Sequence, residues 1–176
     1  MAENISIPNL TAEGARAAQE VLLEQERTLR YGRFGANEAF ELGSIAKALV
    51  PAFASGYSVT ITRERDGVRM FQWVADDKGE RNLLFAEGKR AAARKAGHAG
   101  PWAQLEAAID GDVSHVWDAV PDEVPACGAF PIRVGEEWVA TVAVSGYMEG
   151  LDREIILRAL EQELGITAPR WDAPVM

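Results

Sequence analysis

Two histidines, one cysteine, a serine-glycine corner and a basic run are the places where this chain could do chemistry. His98 and His115 stand at no metal-ligand spacing, and a single cysteine excludes both an intramolecular disulfide and a four-cysteine zinc site. Cys127 reads either as a reactive thiol or as a buried, inert one, and the sequence shows no base beside it. Ser145-Gly146 ends an alternating strand but lacks the nucleophile-elbow pattern, because Ala143 stands where that pattern needs glycine. No Walker loop, dinucleotide fingerprint or paired-carboxylate signature is present.

A binding pocket is the chemistry that remains. Asn82 can cap a basic helix, and Lys89 follows about two turns later on nearly the same face. Its flanks carry alanine and glycine, which leaves Lys89 free to meet a ligand carboxylate or phosphate. The competing readings are that it caps carbonyls, or pairs with Glu87 or Asp152. Ser145 and Gly146 would meet the same ligand from the other side through their backbone, with Phe130 as an apolar wall. Glu149, Asp152 and Glu154 oppose an anion at that corner, so a purely structural turn competes with a ligand contact.

These residues need elements to hold them. Phe130, Ile132 and Val134 alternate, as do Trp138, Ala140, Val142 and Val144, which predicts two strands followed by a helix that Asp152 caps. A two-residue turn at Gly135-Glu136 would put Trp138 on the face of Arg133. A three-residue turn at Gly135-Glu136-Glu137 puts all seven apolar residues on one face and is the expected register. Upstream, Asp66-Gly67 between SVTITRER and VRMFQWV predicts a two-residue hairpin turn. It pairs Ile61 with Gln72, so Val59, Ile61, Met70 and Val74 share one face and Phe71 and Trp73 the other. Both faces are apolar, which asks for cover on two sides.

Helices are expected from Thr11, with Ala15, Ala18, Leu22 and Leu29 inward, and from Asn37 towards Gly56, with Gly43 at a close contact and Pro51 near its end. A third runs from Asn82 to Gly97, its cations in the last turns where the dipole favours them. A short fourth starts at Pro101. The stretch from Gly111 to Cys127 reads as a long loop packed by Val116, Trp117 and Val120, and Trp171 as an anchor for the tail or a contact with a neighbouring subunit.

At 176 residues the chain suits one domain, with residues 1–10 as an arm, 11–164 as core and 165–176 as tail. A net charge of -9 argues against a general nucleic-acid surface. No apolar run of roughly eighteen residues exists, so no membrane span is expected. The first residues lack the basic and apolar regions of a signal peptide, leaving the cytoplasm as the expected location.

The pieces RFGANEAFELG, SVTITRERDGVRMF, Asn82 with Phe85 and Lys89, Gly97-His98, GAFPIRV, VATVAVSG and Asp152 resemble, in order and spacing from about Arg33 to Leu164, the haem-degrading-domain family of HbpS-like and GlcG-like proteins. The resemblance implies a profilin-like α/β/α sandwich with a mainly antiparallel sheet, and a homo-oligomer of at least two copies. It also implies a small ligand, haem or another anionic molecule. Positions that carry over are Asn82, Lys89, His98, Phe130, Pro131, Ser145, Gly146 and Asp152. Ala126 and Arg153 stand where relatives have histidines, Phe85 replaces a tryptophan, and Ala99-Gly100 replace two serines. The departures leave His98 as the expected haem contact. Ligand binding ranks first, an oligomeric scaffold second and an enzyme third.

Overall fold

The computed structural model describes residues 10–53, 55–111, 122–146 and 149–170. His115, Val116, Trp117, Val120 and Trp171 lie outside them. Thr11 starts helix α1 (Ala12–Thr28) by accepting the Gly14 amide on its hydroxyl at 3.0 Å. Helix α2 (Ala36–Ala48) begins one residue before Asn37, with Gly35 as its cap, because Glu38 reaches back to accept the Gly35 amide at 2.8 Å. It stops at Ala48, well short of Gly56, and Pro51 occupies a 3-10 turn, Val50–Ala52. Gly43 is the close contact expected: a Cβ there would lie 2.3 Å from the Phe71 ring.

The strands are β1 (Ser58–Arg63), β2 (Arg69–Val74), β3 (Ala129–Val134) and β4 (Glu137–Ser145). They form one antiparallel sheet in the order β2-β1-β4-β3. Helices α3 (Glu80–Ala96) and α4 (Trp102–Asp110) fall between β2 and β3, and α5 (Glu149–Leu164) follows β4. Helices α2 and α5 pack on each other and on one face of the sheet, while α3 covers the other. This is the expected α/β/α sandwich.

Both hairpins depart from the expected registers. The first closes at Arg63, whose amide donates to Val68 O at 2.9 Å, and Gly67 takes a positive φ inside a four-residue loop. Ile61 therefore faces Phe71, and Thr60 rather than Ile61 faces Gln72. Phe71 and Trp73 share the face of Val59 and Ile61, where α2 covers them, and Trp73 meets the Tyr57 ring edge-on at 5.7 Å. In the second hairpin the turn has two residues, since Val134 pairs with Glu137. Trp138 thus lies opposite Arg133, as the rejected register had it. An extra residue, Val139, then shifts the ladder, so that Phe130 meets Val142 and Ile132 meets Ala140. The bulge lets the apolar face survive a turn that alone would have flipped the strand.

The core lies between that face and α2 and α5, with Leu42, Ile61, Phe130, Ile132, Ile156 and Leu160 buried in it. Across the sheet, α3 brings Ala86 and Ala93 against Ala129 and Ala143. Small side chains on both partners let helix and sheet approach closely. Among the described residues no helix is long and apolar enough to cross a membrane.

Candidate functional site

Lys89 sits on the inner side of α3, where the apolar stripe of Ala86 and Ala93 should continue, and only 5 % of it is exposed. Its Nζ donates to Asp152 Oδ2 on α5 and to Val144 O at the end of β4, 3.1 Å away. The ammonium thus ties the helix on one face of the sheet to a helix on the other. Gly128 makes the passage possible: it has φ +99°, and a Cβ on it would come 2.6 Å from Val144 O and 3.1 Å from Lys89 Nζ. The cation that the chain neighbours made look free is therefore committed to Asp152, one of the partners weighed above. Asp152 is fully buried three residues into α5, not at its cap.

The other expected site residues do not gather around this pair. Phe130 is in the core beside Val142, on the side of the sheet away from α3, rather than a pocket wall. Pro131 is buried opposite Thr141. Ser145 is buried opposite Ser58, whose hydroxyl donates to Ser145 O at 3.1 Å. Gly146 lies so near β1 that a Cβ would meet Tyr57 Cα at 2.6 Å. Asn82 is the third residue of α3, not its cap; its Oδ1 accepts the amide of the capping Gly79 at 3.3 Å. Asn82 is in the first turn of α3 and His98 lies past its other end, and the helix from Asn82 to Ala96 alone spans roughly 21 Å at about 1.5 Å per residue.

Past the positive-φ Gly97 that ends α3, His98 forms a second cluster. Its Nδ1 lies 3.2 Å from Glu26 Oε2, and its ring stacks on Trp102 with centroids 3.9 Å apart. Glu26 is itself buried; its Oε1 accepts the Ala99 amide at 2.7 Å, and Arg133 Nη2 is 3.9 Å from Oε2. With Nδ1 turned to a carboxylate, the tautomer with the proton on Nδ1 is favoured and the lone pair falls on Nε2. Nε2 has no hydrogen bond among the described residues, and 30 % of the side chain is exposed. Such an imidazole can coordinate a metal or accept a proton.

The sequence reading missed Glu26 and Trp102. Glu26 carried a signal, since it continues the inward stripe of Ala15, Ala18 and Leu22 on α1 as a lone acid on an apolar face. Cys127 is buried. Arg153 is buried near it, and burial pulls the guanidinium below its ordinary pKa against the attraction of Cys127 and Glu154. No cluster of three or more His, Cys, Asp or Glu able to hold a metal occurs among the described residues.

Comparison with known proteins agrees with this architecture. The sequence model described as haem degrading protein HbpS-like matches residues 34–161. The chain is similar to the Ybr137w protein, with a TM-score of 0.71 and 18 % identity over 88 % of this chain and 96 % of that one. It is similar to HbpS at a TM-score of 0.52 and 21 % identity, covering 76 % of this chain and 92 % of that chain. For the Klebsiella pneumoniae protein ORFY the TM-score is 0.60 at 13 % identity, over 76 % of this chain and 92 % of that one. At these identities the structures share a fold.

Proposed function

The chain belongs to the HbpS-like haem degrading protein family, and from that premise we propose that it binds a small anionic ligand, haem first among the candidates, as an assembly of identical copies. The observation that carries the reading is the His98 cluster. A partly exposed imidazole, oriented by a buried glutamate and stacked on tryptophan, would suit a nitrogen ligand to haem iron. The iron would supply the coordination bond; the chain supplies Nε2, with Glu26 and Trp102 fixing the ring. Lys89 and Asp152 enter this proposal as the brace that holds α3, and with it His98, against the sheet.

Hemin titration of the full chain tests the reading. We expect a Soret band with weak affinity that disappears in His98→Ala and weakens in Glu26→Gln. A tight complex that survives replacement of both His98 and His115 would overturn the assignment.

A second reading, an oligomeric scaffold, has its own support. The family-matching Lys89 and Asp152 are occupied by each other, which is a structural use of both. Hemin silence together with stable self-association would favour it.

A further inference from the structure

A cavity of about 470 Å³ opens on the opposite end of the sheet from Ser145, between the two hairpins and the start of α2. Its size is within the range of small-molecule sites. Phe34, Met70, Trp138 and Val139 give it apolar walls, and Arg65 and Arg94 bring cations to it. Met70 and Val139 are the two bulge residues of the sheet: each is the extra residue where the ladder shifts. Bulges re-aim side chains beside functional sites, and here two independent shifts deliver their residues to one cavity.

The charges around it do not cancel. The Glu64 side chain is buried and already held by Arg90, through Nε at 3.0 Å and Nη2 at 2.8 Å, and by the Thr141 hydroxyl. Arg90 and Arg69 also share Glu87. Two carboxylates, Glu64 and Glu87, thus face three guanidiniums, Arg69, Arg90 and Arg94. The surplus cation is Arg94, whose Nε lies 3.3 Å from Glu64 Oε2 while its Nη1 and Nη2 have no hydrogen bond among the described residues. Its guanidinium is laid over the Trp138 ring, 4.9 Å from the centroid. A second surplus stands at the rim, because Asp66 is gripped by Arg63 and Arg65 comes only within 3.8 Å of it. Glu137 is the one opposing carboxylate on the lining besides the neutralised Glu64.

We propose that this cavity binds a small, flat aromatic carboxylate, its carboxylate on the two open nitrogens of Arg94 and its rings against Phe34, Met70 and Val139. A planar fork matches a carboxylate in two parallel hydrogen bonds, which a lysine there could not do. Trp138 holds that fork in orientation before the ligand arrives. The site is separate from His98 and stands or falls without the haem reading.

The test uses 2-naphthoate and the full-length chain, with calorimetry for affinity and the indole N–H resonance of Trp138, assigned by Trp138→Phe, for location. Saturable one-to-one binding that shifts this resonance is expected. Arg94→Gln should weaken it at least about tenfold, as loss of a charged hydrogen bond requires. Glu137→Gln should tighten it, 2-naphthalenemethanol should bind much more weakly, and His98→Ala should change nothing. The proposal is overturned by an absence of saturable binding at millimolar ligand, or by unchanged affinity in a folded Arg94→Gln. Should that variant fail to fold, equal affinity for the neutral analogue, or no tightening in Glu137→Gln, overturns it instead.

Discussion

Lys89 shows how one buried charge can determine what its neighbours are. A lysine in the small-residue interface of α3 is tolerable only because Asp152 and a strand-end carbonyl receive it, and Gly128 leaves room for it. Removing one partner of a buried pair strands the other charge. Lys89→Ala should therefore cost about 3–5 kcal/mol of stability in urea unfolding, and Lys89→Met with Asp152→Asn should recover much of it. A single variant with an unchanged midpoint would show that the pair is not a brace. Asp152 could be named from the sequence only as one of several partners. The residues beside Lys89 in the chain say nothing of what faces it across a sheet, and its partner comes from sixty-three positions away.

At the scale of elements, the helices and strands were legible because periodicity is local. Of the expected side-chain N-caps, Thr11 holds, while Asn37, Asn82 and Asp152 lie inside their helices. The registers were not legible, because a one-residue insertion is invisible to an alternation count. Phe71 and Trp73 were assigned to the wrong face on that account, and Trp138 likewise. The described part of the tail, residues 165–170, was also silent, having no periodicity, yet it is pinned by Arg170. The guanidinium donates to Glu161 at 2.9 and 3.0 Å and to Glu154 at 2.9 Å, while the Ala168 amide donates to Glu161 at 2.7 Å. Burial pushes both carboxyls up, but the Arg170 hydrogen bonds, with Arg158 helping on Glu154, outweigh it and hold both below their ordinary 4.5. Groups whose folded pKa is depressed stabilise above the unfolded value and lose that contribution as pH falls through the folded one. The tail should thus stay docked at neutral pH and loosen as pH drops below about 4.5. Amide exchange at Ala168, corrected for the intrinsic rate, should rise in that window. In Arg170→Ala it should be fast already at pH 7, and slow exchange there would refute the clamp.

For the whole molecule, the two edges of the sheet are treated differently. Beside β3, Tyr31 forms a parallel bridge to Val134, its amide donating to Arg133 O at 2.9 Å. That end of the edge is covered. The outer edge of β2 pairs with no strand among the described residues. Helix α2, which packs on β2, carries Phe40, 62 % exposed and edge-on to Phe71, and α3 on the other face of the sheet carries Leu84, 51 % exposed. An open edge between apolar groups is a template for a second chain, which natural folds cover or blunt. A second copy would meet this need by isologous pairing, each β2 edge against the other. Light scattering at micromolar concentration should therefore give at least a dimer, and Phe40→Glu with Leu84→Glu should shift it to monomer without loss of helical signal. The expected split of apolar residues over two faces of β2 did not hold, since Phe71 and Trp73 share the face of Val59 and Ile61. Which edge lies open was not legible either, because strand order depends on pairings across the whole chain. If the wild-type chain is monomeric, or the double variant assembles unchanged, this edge is not the interface.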